Sequence, residues 1–157
     1  VRIEVRGYDH PDSQRLIDEV QQEYVVRYGG PDESAVDPAE FAPPHGLFLV
    51  GYLDDAPVAT GGWRADGDTA EIKRMYVSAP VRRRGLARVM LAEVERTATE
   101  AGVHRLILET GDMQPEAVAL YRASGYTDIP PFGHYACSEH SIHLGKELMC
   151  PSTPSVT

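Results

Sequence analysis

Cysteine is scarce: the 157 residues hold two, Cys137 and Cys150, and the second lies in a Pro/Ser/Thr-rich tail. That pair builds no disulfide framework, so reduced thiols are the expectation. Long apolar runs are missing as well. None approaches the roughly eighteen residues needed to cross a bilayer, and the first residues show neither a basic n-region nor an apolar h-region. No membrane partner is expected, and a cytoplasmic location is. Basic residues are outnumbered, 15 against 24 acidic ones, for a formal net charge of −9. Long-range repulsion then opposes nucleic acid as a main partner and suits an amine-bearing one. The patterns G-x-S-x-G, G-x-x-x-x-G-K-[ST] and G-x-G-x-x-G are all absent, so hydrolase, P-loop and dinucleotide readings lack their motifs.

What is present is 42% hydrophobic residues, enough for one core. Residues 1–149 read as a single domain and 150–157 as a frayed, disordered tail. Arg2 to Arg6 alternates, with Val1, Ile3 and Val5 on one face, as an opening strand. Pro11 suits a first helical turn, Leu16, Ile17, Val20 and Tyr24 fall three or four apart, and Gly29-Gly30 ends that helix. Residues 31–46 hold four prolines and no periodicity, which predicts a long loop. Leu47–Leu53, Pro57–Arg64 and Thr69–Val77 are β-rich runs separated by turn residues, predicting three consecutive antiparallel strands. From Arg83 the period changes: Ala87, Leu91, Val94, Ala98 and Ala101 make one stripe of a helix stopped by Gly102. Arg105–Thr110 reads as a buried strand and Pro115–Ser124 as a helix ending before Gly125. Ile142, Leu144 and Leu148 alternate with His143 and Glu147 in a last strand.

The segment VRRRGLARVM places Arg82, Arg83, Arg84 and Arg88 around Gly85, where a strand enters a turn and then a helix. Such a junction exposes backbone N–H groups at the positive end of a helix dipole, a ready anion site that arginine forks reinforce. A solvated helix start and a nucleic-acid patch are the alternatives. The segment Arg82-Arg83-Arg84-Gly85-Leu86-Ala87 also fits the R/Q-x-x-G-x-G/A signature of the GNAT family of N-acetyltransferases, and TAEIKRMYV before it resembles that family's fourth strand. LETGDMQPEAVALYRASGY, Leu108 to Tyr126, resembles its fifth strand and the helix bearing its tyrosine.

The resemblance covers Leu47 to Tyr126 well and the first 46 residues by element order. It implies an α/β GNAT-like fold: a central mixed, mostly antiparallel sheet of about six to seven strands, flanked by helices and splayed between the fourth and fifth. It further implies an acetyl-CoA site. The amides from Arg83 through Arg84, Gly85, Leu86 and Ala87 to Arg88 would cradle the pyrophosphate, with Arg82 and a neighbour contributing most among the arginines. Met75, Tyr76 and Val77 would pair with the pantetheine like an extra strand. Gln114 stands where the family often has Asn, and Ala117 lies one turn before Tyr121.

Acetyl transfer needs a neutral amine and a protonated or stabilised leaving thiolate. Glu71 resembles the base of the histone-acetylating branch, with pairing to Lys73 or Arg64 as its structural alternative. Glu109 resembles that of the ribosomal-protein N-terminal branch, with a substrate-orienting or buried paired acid as its alternative. Tyr121 would be the general acid near sulfur. Tyr24, Phe132, His134 and Tyr135 are the acceptor-side candidates. His134, Cys137, His140 and His143 recur every three residues but cannot hold one face from a loop into a strand, so no metal is expected. The expectation is direct transfer from acetyl-CoA to a primary amine of a small molecule, an amino acid or amine. A protein N-terminal or lysine acetyltransferase and a non-catalytic acyl-CoA-binding or sensing module are the rivals, and a homodimer is left open.

Overall fold

The computed structural model describes residues 1–34 and 36–148. The expected tail 150–157, Cys150 included, lies outside them. In chain order the elements are β1 (Arg2–Val5), α1 (Pro11–Tyr28), a 3-10 turn (Pro38–Phe41), β2 (Gly46–Leu53), β3 (Ala56–Asp66), β4 (Thr69–Val77), a second 3-10 turn (Ala79–Val81), α2 (Leu86–Glu100), β5 (Arg105–Gly111), α3 (Pro115–Ala123), β6 (Thr127–Asp128) and β7 (Ser141–Glu147).

The strands form one seven-stranded sheet in the order β1-β2-β3-β4-β5-β7-β6. Every neighbouring pair is antiparallel except β4 and β5. That parallel pair needs the long crossover that α2 supplies. Leu86, Met90, Leu91, Val94 and Ala98 of α2 pack on one sheet face against Leu49, Trp63, Ile72, Leu106, Leu108 and Leu144. Leu16, Ile17 and Val20 of α1 pack on the other against Tyr8, Phe41, Phe48, Val50 and Tyr76. At about 1.5–3 kcal/mol per fully buried aliphatic or aromatic side chain, these two layers supply the main driving force.

Local chemistry sets the helix limits. In α1, the His10 ring accepts the Asp12 N–H at 3.1 Å, Pro11 takes the first turn, and Gly29 closes the end in the left-handed region. α2 begins at Leu86 rather than Arg83, because Arg83 and Gly85 both have positive φ and make a turn. Among the described helices, none is long and apolar enough to cross a membrane.

Three further expectations are corrected. Val1 and Val5 are exposed, since β1 is an edge strand covered on neither side at those positions. Ala101 leaves the apolar stripe and is exposed, having become the C-cap of α2. The 31–46 segment is a loop as expected, within which Asp37 and Glu40 cap a 3-10 turn that drives Phe41 into the core. His143 points inward. It is buried beneath Phe132, with ring centroids 5.0 Å apart, and neither ring nitrogen has a hydrogen-bond partner among the described residues. The short β6 has no counterpart in the expected elements.

Candidate active site

β4 and β5 pair only over Thr69–Glu71 and Arg105–Ile107, then separate as both continue. A cavity of about 590 Å³ fills the opening and is walled by Tyr24, Met75, Glu109, Gln114, Ala117 and Tyr121 among others. A smaller cavity of about 230 Å³ adjoins it, bounded by Phe132, His134 and Tyr135. Glu71, Lys73, Glu109 and Tyr135 line both. Three of the expected acceptor-side and proton-transfer residues, Glu71, Glu109 and Tyr135, thus meet at one junction with Phe132 and His134, while Tyr24 stands on the larger side.

The opening is helped by a bulge. Thr60 pairs with Tyr76 and Gly62 with Lys73, so Gly61 opposes both Arg74 and Met75. Arg74 takes a positive φ there, and its carbonyl accepts the Thr60 hydroxyl at 2.7 Å. The bulge re-aims β4 just before Met75, Tyr76 and Val77, whose edge toward β5 carries no strand partner. At the far end of this edge the first intrahelical bond of α2 is Val89 N–H to Gly85 C=O, and no side chain caps the helix. Among the described residues, the amides from Arg83 to Arg88 therefore donate to no backbone carbonyl. Gly85 is suited to this turn because its φ of +77° is left-handed.

The arginines divide. Arg82 is tied back into the protein by an ion pair with Glu23, a bond from its Nε to the Val77 carbonyl at 2.8 Å, and the Tyr76 ring. Arg83, Arg84 and Arg88 are exposed and without ion pairs among the described residues.

Glu71 accepts two bonds from the Arg64 guanidinium, at 3.0 and 3.2 Å. Glu109 makes no ion pair among the described residues. Burial raises its pKa above the ordinary carboxylate value, and the Asp32 and Glu71 charges add to this, against a hydrogen bond from Ser141 and the Lys73 charge, which lower it. Tyr121 is buried, and desolvation, then the nearness of Tyr24 and Glu109, pushes its phenol well above the usual value. Its hydroxyl makes no hydrogen bond to the described residues and stands at the cavity wall. Tyr24 is shifted the same way by desolvation.

Sequence reasoning missed a charge cluster behind this junction. Asp32 Oδ2 accepts Lys73 Nζ at 3.0 Å and Arg74 Nη1 at 2.5 Å. Its Oδ1 accepts the Ser34 hydroxyl at 2.7 Å and the Tyr135 hydroxyl at 2.9 Å. The adjacent pair Lys73-Arg74 inside an apolar strand was the available signal: neighbours on a regular strand face opposite ways, so burying both requires a bulge and a shared anion. Tyr28 was missed too. Its hydroxyl accepts the Met113 N–H at 3.1 Å, closing α1 over the end of β5, and a Cβ on Gly111 would lie 1.8 Å from that oxygen. Among the described residues, no group of three or more His, Cys, Asp or Glu is gathered for a metal.

Residues 14–126 match the model of the acetyltransferase (GNAT) family. An IAA acetyltransferase of Azospirillum brasilense is 33% identical over 136 residues, 85% of this chain and 89% of its own. A solved structure from Klebsiella pneumoniae, described as an acyl-CoA N-acyltransferase, superposes with a TM-score of 0.78 at 26% identity, covering 94% of this chain and 97% of that one. The PaiA N-acetyltransferase of Thermoplasma acidophilum, solved with coenzyme A, has a TM-score of 0.70 at 15% identity, covering 94% and 99%.

Proposed function

The chain belongs to the acetyltransferase (GNAT) family, and on that premise we propose that residues 1–149 form one domain that moves an acetyl group from acetyl-CoA directly to a small primary amine. The observation that carries this reading is the junction of two cavities at Glu109. One runs past Tyr121 along the unpaired edge of β4, and the other is closed by aromatic side chains. On this reading the donor's pantetheine lies against Met75–Val77 with Gln114 and Ala117 beside it, and its pyrophosphate takes the free amides from Arg83 to Arg88. Arg83, Arg84 and Arg88 add uncompensated charge there. Arg82 contributes by fixing Glu23 and so the seam between α1 and β4.

An ammonium acceptor is unreactive until it loses a proton. Glu109 takes it: a carboxylate raised toward neutral pH is a better base than an ordinary one. The amine nitrogen then attacks the thioester carbon, the N–C bond forms, and the C–S bond breaks. Tyr121, kept protonated by its burial, gives its proton to the departing sulfur. The second proton lost by nitrogen restores the phenol, and the one on Glu109 leaves to solvent. Glu71, already compensated by Arg64, serves as the electrostatic neighbour of this exchange rather than its base.

The test is thiol release from acetyl-CoA over an amine panel. Glu109→Gln should lower kcat by roughly 10²–10⁴, Tyr121→Phe by a smaller factor in that range, and Glu71→Gln least. Wild-type rates in all three variants would defeat the assignment.

A further inference from the structure

We propose that the acceptor is a small amine with an aromatic or apolar tail and no carboxylate on the carbon bearing its nitrogen, in preference to an α-amino acid. This rests on the acetyl-transfer reading and narrows it. The argument is charge accounting in the smaller cavity. Two cations line it, and both are spoken for: Lys73 by Asp32 at 3.0 Å, and Arg64 by Glu71 and Glu40, each at 3.0 Å. Arg74, behind Lys73, shares the same Asp32. The lining carboxylate that makes no ion pair among the described residues is Glu109, which the Lys73 charge reaches only from beyond ion-pair distance. With Arg74 counted, the three cations Arg64, Lys73 and Arg74 face the four carboxylates Asp32, Glu40, Glu71 and Glu109, so an entering α-carboxylate meets a net negative charge, whereas an ammonium offsets it.

The remaining wall matches the rest of such a ligand. Phe132 lies edge-on to the buried His143, and His134 edge-on to Tyr135, with centroids 5.0 and 4.6 Å apart. The Phe132, His134 and Tyr135 rings offer apolar surface and π faces to a ring or alkyl tail, in a space of about 230 Å³. Nitrogen at hydrogen-bond distance from Glu109 puts an attached carboxylate about 5 Å from that anion. At an effective dielectric near 20, repulsion at that separation corresponds to a discrimination on the order of a hundredfold.

The experiment compares matched pairs that differ only by the carboxylate: tryptamine with tryptophan, tyramine with tyrosine, phenethylamine with phenylalanine. Short peptides with free N-termini complete the panel. Thiol release gives kcat/KM, and calorimetry with coenzyme A bound gives affinity in wild type and Glu109→Gln. The amines should exceed their amino acids by about a hundredfold in kcat/KM, and in Glu109→Gln the binding preference should fall toward parity. Amino acids that equal their amines, peptides that exceed both, or a preference undiminished in Glu109→Gln would overturn the proposal. Bound acetyl-CoA with no thiol release from any acceptor would instead overturn the acetyl-transfer reading, and this inference with it.

Discussion

Replacing Asp32 by Asn keeps the side chain's shape and removes its charge, leaving Lys73 and Arg74 as two adjacent buried cations. The Asp32 side chain is 10% exposed, Lys73's 8% and Arg74's 4%. Removing one partner of a buried pair costs about 3–5 kcal/mol, because the other charge stays desolvated. The amide still accepts from Ser34 or Tyr135, so the lower end, about 3 kcal/mol, is expected. In a domain of this size each kcal/mol shifts Tm by about 2–4 °C, which gives a fall of roughly 6–12 °C. The pH dependence follows from the direction of the shift. Burial would raise the Asp32 pKa, but the Lys73 charge, the Ser34 hydrogen bonds and the Arg74 charge together hold it well below the ordinary carboxylate range. A depressed folded-state pKa contributes stability that is complete above the unfolded value of about 3.9 and drains away as pH falls below it. The stability gap between wild type and Asp32→Asn should therefore be flat from pH 5 to 8 and about 1 kcal/mol smaller at pH 3. Urea titrations at both ends measure it. A variant within 1 kcal/mol of wild type at pH 7, or a gap that widens in acid, refutes the reasoning.

The raised pKa of Glu109 places the acid limb of kcat/KM above the ordinary carboxylate value near 4.3. Activity should rise with pH as that group ionises, and Glu109→Gln should abolish the limb; a limb unchanged in that variant assigns it to another group. Single Arg83→Ala, Arg84→Ala and Arg88→Ala changes should each raise KM for acetyl-CoA severalfold at low salt and less at high salt, since exposed charges are screened. Arg82→Ala should instead lower Tm, through loss of its bonds to Glu23 and Val77; a purely kinetic effect would contradict its structural role. Gly111→Ala forces Tyr28 aside and should cost about 1–3 kcal/mol, with much of the loss recovered when Tyr28 is also cut to Ala, as thermal melts would show.

The order of elements was legible because its signals are local. A period of 3.6 with Pro11 and Gly29 at its ends, and β-rich runs broken by Asp54-Asp55 and Gly67, depend only on neighbouring residues. The arginine-rich helix start was legible for the same reason. Asp32 was not: its ion pair to Lys73 spans 41 residues, from a segment with no periodicity to a strand. His143 misled because alternation in a strand says which residues share a face, while Phe132 from a separate loop covers the face opposite the core residue Leu144, so both are buried. Glu71 and Glu109 looked equivalent as acids in strands. Only the fold could separate them, by giving Arg64 to one and no ion pair among the described residues to the other.

That separation also resolves how an acidic chain spends its arginines. Each cation lining the acceptor-side cavity is matched by a carboxylate about 3 Å away, so the interior gains rigidity without a field that would bind anions. The uncompensated positive charge lies at the start of α2, outside the cleft, where free amides point the same way. At the junction, the carboxylate that makes no ion pair among the described residues is Glu109. On the proposed reading, an anionic donor and a cationic acceptor would be drawn to different ends of one opening between β4 and β5, and would meet with opposite charges already partitioned.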